Sequence, residues 1–124
     1  MNALSIDYGS KRIGLAYSLN GFISTLPAIK NDDSVFTNIQ SIIIQYSIDQ
    51  VFVGLSEGDF AVKTKKFVTS LQQKITLPVE TIEEAISTIE ADSIFKNNQK
   101  NTKKYKETID SIAAAVILRR ALGL

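Results

Sequence analysis

The apolar residues of this chain change their spacing once, early in the sequence, and this change limits the fold more than any other feature. Before it, residues 3–7 and 12–19 alternate in the manner of β-strands. Asn20-Gly21 then opens a third run, and both residues tolerate the positive φ angles of a type I′ hairpin turn. Pro27 cannot donate a hydrogen bond to a neighbouring strand, so we expect this third strand, at 22–29, to lie at a sheet edge.

After the third strand the apolar residues recur at helical spacing, interrupted by short strands. Asp32 or Asp33 can cap the first of these helices. The strand at 50–54 is apolar on both faces, which is typical of a central parallel strand. The remaining predicted elements are a helix at 60–74, a strand that opens at Leu77, and helices at 84–97 and 107–121. The order predicts an α/β fold: a mixed five-stranded sheet, three antiparallel strands and then parallel strands, with helices on both faces.

The composition restricts the chemistry. The 124 residues suffice for one domain, which we expect to span 1–124. The chain has no Cys and no His, which excludes disulfides, thiolate catalysis, Ser-His-Asp triads and zinc sites built on those residues. Catalysis must therefore use carboxylates, Lys, Tyr, hydroxyls or backbone groups. Carboxylates with Mg²⁺ or Mn²⁺ are the leading option, because hard cations prefer oxygen ligands.

The sequence carries no signal for export or membrane insertion. Its amino terminus lacks a basic region and includes Asp7. The longest apolar run, 112–118, is far shorter than the ~20 residues of a membrane span. We therefore expect a soluble protein of the cytoplasm with no membrane partner.

Asp7 is the first candidate functional residue. It ends the first strand, on the face opposite the apolar residues, where an acid is unfavourable unless hydrogen bonds or a cation accompany it. The glycine turn that follows carries Lys11 and Arg12, and such a turn can approach a phosphate with backbone N–H groups and positive charge. A structural alternative is that Asp7 tightens the turn at Gly9.

Acidic residues later in the chain can join Asp7. Several follow the last predicted strand, and Asp110 is expected in the first turn of the last helix, where the helix dipole alone favours an acid. A first-strand Asp, a Glu after a late strand and an Asp beginning the last helix can meet at one end of a mixed sheet. Three such carboxylates could hold two divalent ions, which would activate water for phosphodiester cleavage.

Four segments resemble those of a known family. Segment 6–16, IDYGSKRIGLA, is close to its first hairpin, and 51–55, VFVGL, to its central strand. Segment 83–91, EEAISTIEA, resembles its Asp-Glu-Arg-x-Thr-Thr-x-Glu-Ala block, and 109–118, IDSIAAAVIL, resembles its final helix. The family is YqgF (RuvX), the Holliday-junction-resolvase-like branch of the ribonuclease H-like superfamily, and the similarity spans nearly the whole chain in order.

This resemblance implies a metal-dependent nuclease with helices on both sides of its sheet. Carried over by position, the catalytic and metal-binding carboxylates are Asp7, Glu84 and Asp110. Lys11 and Arg12, with Gly9, would face the nucleic-acid backbone. Members are associated with maturation of the 5′ end of pre-16S rRNA and were proposed as Holliday junction resolvases. A symmetrically cutting resolvase would be a homodimer, whereas an RNA-trimming enzyme can be a monomer.

Two departures from the family pattern leave alternatives open. The Asp-Glu-Arg block reads Glu83-Glu84-Ala85, so its arginine is replaced. A non-catalytic nucleic-acid-binding module of the same fold is therefore an alternative to the nuclease. The loop after the central strand is short, and Glu57 within it could supply the second carboxylate instead of Glu84. A nucleotide-binding module of the actin-like type is a third reading, which the short single domain disfavours.

Lysines mark two further candidate surfaces. The segment 96–106 carries five lysines and no acid, and is expected to be a loop that either contacts phosphates through Lys103 and Lys104 or is simply solvated. Lys63, Lys65 and Lys66 on the second helix could extend such a basic patch, although exposed helix faces commonly carry lysines.

Overall fold

The computed structural model describes residues 1–55, 58–83 and 102–124, and the side chains of the last range from Ser111 onward. The strands are β1 (Ala3–Tyr8), β2 (Arg12–Leu19), β3 (Phe22–Lys30), β4 (Gln50–Leu55) and β5 (Val79–Glu83). The helices are α1 (Val35–Gln45), α2 (Phe60–Lys74) and α3 (Thr102–Leu122). The helix predicted at 84–97 lies outside the described residues.

The five strands form one mixed sheet in the order β3-β2-β1-β4-β5. β1, β2 and β3 pair antiparallel, while β4 is parallel to both β1 and β5. The predicted fold class is thereby confirmed, as are the central place of β4 and the edge place of the strand that contains Pro27. Asn20 and Gly21 have φ angles of 54° and 86°, as the predicted hairpin turn requires.

The two faces of the sheet are packed differently. On one face, Leu4 and Ile6 are completely buried in a large apolar cluster with residues of α1 and α2. On the other face, β1 and β2 present small residues, and α3 lies across them. The Ser5 hydroxyl donates a hydrogen bond of 2.5 Å to the Ala114 carbonyl oxygen of α3. The small residues of β2 are thus covered by a helix, because only short side chains allow a helix backbone to approach so closely.

Helix α3 begins at Thr102, and two predictions about it are wrong. Residues 102–106 are helical and do not belong to a loop. Asp110 lies in the third turn of the helix, so the dipole at the helix start does not account for it. The apolar stripe begins only at Ile109, and a helix start made of lysines and other polar residues has no apolar period to reveal it. Lysine and glutamate nevertheless have good helix propensity.

The cap predicted for α1 also differs in detail. Ser34 occupies the N-cap position, and its side chain makes no capping hydrogen bond. Instead Asp32 Oδ1 accepts hydrogen bonds from the Ser34 N–H at 2.9 Å and from the Ser34 hydroxyl at 2.5 Å. These bonds, the hydroxyl's first, lower the pKa of Asp32 below its ordinary value. Asp32 therefore shapes the turn before the helix and does not cap it.

Within the described part of the chain, none of the helices combines the length and the apolar character that a membrane span requires.

Candidate functional site

Asp7 lies on the central strand β1, and each of the two neighbouring strands has a glycine at the position beside it. It pairs with Gly14 of β2, and the parallel register of Ile6 with Val53 places Gly54 of β4 at its other side. Asp7 is half-buried and both glycines are buried. Neighbouring strands normally place a Cβ about 5 Å away on the same face, and neither glycine has one. The carboxylate therefore stands on the α3 face of the sheet, and the positions directly beside it on β2 and β4 carry no Cβ.

Asp7 lies near the carboxyl end of β1, and β4 and β5 also have their carboxyl ends on that side of the sheet. Parallel strands have their carboxyl ends at the same edge, which is the usual ligand-binding edge of such sheets. Glu57 follows the end of β4 by two residues, and Glu84 follows the end of β5 directly. Neighbouring strands are about 4.8 Å apart, so β5 lies about 10 Å from β1. Both glutamates are outside the described residues, and their side chains stay predictions.

Helix α3 brings Asp110 across the same face of the sheet. The hydroxyl of the next residue, Ser111, donates to the Leu26 carbonyl oxygen of β3 at 2.5 Å. Leu26 pairs with Leu15, which pairs with Ile6, so this contact lies level with the carboxyl-terminal half of β1. This hydrogen bond fixes the backbone of α3 at the residue next to Asp110. The side chain of Asp110 itself is outside the described part of the structure.

The end of β5 is held by a residue that the sequence did not single out for the site. Arg120 Nη1 donates to the Glu83 carbonyl oxygen at 3.0 Å. The bond ties the last turns of α3 to the backbone immediately before Glu84. This contact has no local sequence signal, because Arg120 and Glu83 are 37 residues apart in the chain.

The turn after Asp7 is compact and braced. A Cβ at Gly9 would overlap the Arg12 carbonyl oxygen, so the turn requires glycine. Asn31 braces it twice: its Nδ2 donates to the Gly9 carbonyl oxygen at 2.8 Å, and its backbone N–H donates to the Lys11 carbonyl oxygen at 3.0 Å. The three candidate phosphate contacts of this turn, Gly9, Lys11 and Arg12, therefore lie next to Asp7. The role of Asn31 in this turn was not predicted from the sequence, since its hydrogen-bond partners are distant in the chain.

Replacing Asn31 with Ala should weaken nucleic-acid binding more than it weakens the fold. A side-chain hydrogen bond contributes roughly 1 kcal/mol, so we expect about fivefold lower affinity if the turn contacts phosphates. Binding is measured by fluorescence anisotropy, with Asn38→Ala as the matched control, because Asn38 Nδ2 donates at 3.2 Å to the Ser34 hydroxyl within α1. Equal affinities for the two variants would contradict a positioning role for Asn31.

The donor set suits a hard divalent cation. Carboxylate oxygens are the ligands that Mg²⁺ and Mn²⁺ prefer. Of the predicted ligands Asp7, Glu84 and Asp110, only the side chain of Asp7 belongs to the described part of the chain. Among the side chains of that part, no three acidic groups lie close enough to hold a metal ion. Lys103 and Lys104 lie in the first turn of α3, and their side chains are not described either.

Comparison with known proteins agrees with this architecture. The family model RuvX, described as Holliday junction resolvase, matches residues 1–123. A relative from Halothermothrix orenii, which bears the provisional name pre-16S rRNA nuclease, is 30% identical over 133 residues and covers 99% of this chain and 95% of its own length. Another from Maridesulfovibrio salexigens with the same name is 31% identical and covers 99% of this chain and 98% of its own length.

A solved structure shows the same fold at low sequence identity. RuvC from T. thermophilus in complex with a Holliday junction substrate superposes with a TM-score of 0.61 and 13% identity. The match covers 99% of this chain and 96% of RuvC. The family suggested by the four motifs is therefore confirmed: the chain belongs to the RuvX family of Holliday junction resolvases and is a nuclease by that membership.

Proposed function

We propose that the protein is a divalent-metal-dependent nuclease that hydrolyses phosphodiester bonds in structured nucleic acid. Maturation of the 5′ end of pre-16S rRNA is the favoured role, because the relatives are named for a nuclease that acts on pre-16S rRNA. Holliday junction resolution is the other role that the family description supports. The observation that carries the proposal is the position of Asp7. This residue lies on the central strand β1, near the carboxyl ends of β1, β4 and β5.

Asp7, Glu84 and Asp110 would together hold the metal, Mg²⁺ or Mn²⁺. A bound divalent ion supplies an activated water and stabilises the charge on the leaving oxygen. Glycines occupy the positions beside Asp7 on β2 and β4 and place no Cβ there, and a phosphodiester group would approach the carboxylate over this part of the sheet. Lys11 and Arg12 would orient that group through its phosphate oxygens.

The remaining parts of the proposal concern the setting of the reaction. Lys103 and Lys104 would extend the nucleic-acid contact along the start of α3. We place this reaction in the cytoplasm. A monomer suffices to trim RNA, whereas paired cuts in a four-way junction require a homodimer.

The proposal is tested by incubating the protein with precursor 16S rRNA and with a four-way DNA junction, each in Mg²⁺, Mn²⁺ or EDTA. We expect cleavage in at least one metal and none in EDTA. The RNA and the junction distinguish the two roles. Binding without cleavage in every metal would overturn the nuclease in favour of a non-catalytic binding module with the same fold.

Glu84 and Glu57 are compared by their separate Gln variants. We place the second metal ligand at Glu84. The cleavage rate of the Glu84→Gln protein should therefore be lower by at least about a hundredfold, whereas the Glu57→Gln protein should retain most of the original rate. The reverse pattern would move the ligand to the loop after β4.

A further inference from the structure

A groove of about 550 Å³ opens between α1 and α2, on the face of the sheet opposite Asp7. Its floor is aromatic, formed by Tyr8, Phe36 and Phe67. One wall is the exposed side of α2, a helix that contains four lysines and no acidic residue. The groove is therefore lined on one side by positive charge only.

The lysines of α2 divide between two sides of the helix. Lys63, Lys66 and Lys74 line the groove, and Ser70 lies between them at helical spacing. Lys65 does not line the groove, but it lines a neighbouring shallow depression that shares Lys66 and Ser70 with it. From Lys63 to Lys74 the helix rises about 16 Å, which equals about five nucleotide steps along one strand of a duplex.

Two of the groove lysines are held in place by aromatic rings. Lys63 Nζ lies 6.0 Å from the centroid of the Phe60 ring, and Lys74 Nζ lies 5.2 Å from that of Phe36. The rings stack in a continuous row, with Phe36 and Tyr8 both against Phe67, at 5.5 and 4.5 Å, and Tyr8 against Phe60 at 5.7 Å. The ammonium groups at the two ends of the groove are thus kept near its surface, which lowers the entropy cost of using them to bind.

The opposite wall differs, because Asp32 and Asp33 line the groove from the side of α1. Asp32 is engaged by the N–H and hydroxyl of Ser34. A polyanion would therefore follow the α2 wall and avoid the carboxylates. This asymmetry favours an extended chain of phosphates over a small anion, which would sit close to both walls.

The groove and the candidate site lie on opposite faces of the sheet and are connected through the turn after β1. Asn31 lines it and also braces the turn at Gly9 and Lys11, next to Asp7. We propose that the groove binds the sugar–phosphate backbone of the substrate strand, at nucleotides that are distant from the cleaved bond. The inference rests on the proposed function, which supplies the identity of the polyanion.

The test measures binding without cleavage. The Asp7→Asn protein, in EDTA, is titrated into a fluorescein-labelled RNA hairpin with a single-stranded 5′ tail, over a range of salt concentrations. We compare that protein with versions that also carry Lys63→Gln or Lys65→Gln, and with a version that carries Lys63→Gln, Lys66→Gln and Lys74→Gln together. Thermal unfolding checks that each version is folded.

Removing one lysine that touches a phosphate should reduce the slope of log affinity against log salt by about 0.7 to 0.9. We expect Lys63→Gln to reduce it by one such step, the triple variant by two or three, and Lys65→Gln by none. Equal effects of Lys63→Gln and Lys65→Gln, or an unchanged slope in the triple variant, would overturn the groove as a nucleic-acid surface. Because no cleavage is required, either result is independent of whether the protein is a nuclease.

Discussion

Cleavage of precursor rRNA or of a four-way junction should fall by at least about a hundredfold when Asp7 is replaced by Asn, because the amide removes the charge that holds a divalent ion. The substitution changes one atom and keeps the volume of the side chain. The fold should therefore persist, since β1 is held by its pairing with β2 and β4 and by the completely buried Leu4 and Ile6.

The measurement is the single-turnover cleavage rate in Mg²⁺ and in Mn²⁺, with circular dichroism to confirm folding. Asp49→Asn is the matched control. Asp49 precedes β4 at the opposite edge of the sheet, where its carboxylate accepts a hydrogen bond from the Asn2 N–H at 2.9 Å. If Asp7→Asn retained the rate of the control, the assignment of Asp7 as a metal ligand would be wrong.

Thermal stability should fall sharply when Ala114 is replaced by Leu. Ala114 is completely buried, and its carbonyl oxygen accepts the Ser5 hydroxyl at 2.5 Å. It packs among Ala3, Ala16 and Phe52, so α3 has no room for a larger side chain at this point. Overpacking of a core typically costs about 1 to 3 kcal/mol, and the close contact between α3 and the sheet places this site at the upper end of that range. In a domain of this size that lowers Tm on the order of 10 °C.

The unfolding transition is followed by calorimetry or circular dichroism. Arg119→Leu serves as the control, because it introduces the same side chain at an exposed position of the same helix. Its effect should stay below about 0.5 kcal/mol. A small effect of Ala114→Leu would show that α3 can move away from the sheet at no cost. Lost cleavage in a folded Ala114→Leu protein is also expected, since α3 carries Asp110.

The sequence predicted most of the secondary structure because the relevant signals are local. The bounds of β2 and of α2 match the predicted ranges, since both elements have a clear apolar period and a turn residue at each end. The predicted start of α3 lies five residues too late in the chain. The first turns of the helix consist of polar residues, so they lack the apolar repeat that would indicate a helix. The N-cap of α1 was missed because Asp32, Asp33 and Ser34 are all suitable for that position by residue type.

For the candidate site, the sequence predicts a chemistry and only part of the geometry. The absence of His and Cys leads directly to carboxylates, and an Asp at the end of a strand is conspicuous in the sequence. Gly54, Asn31 and Arg120 were not foreseen around it. Each comes to the site through strand pairing or helix packing with residues that are distant along the chain.

The chain's own order of residues was enough to predict the kinds of the described elements, the hairpin at Asn20-Gly21 and the edge place of β3, and it also predicts an acidic site. These follow from hydrophobic period, turn chemistry and side-chain type, which act over a few neighbouring residues. The glycines on both sides of Asp7, the brace at Asn31 and the lysine-lined groove emerge only when β1 pairs with β2 and β4 and the helices pack on the sheet. Such juxtapositions depend on register and close packing, and these are properties of the folded chain as a whole.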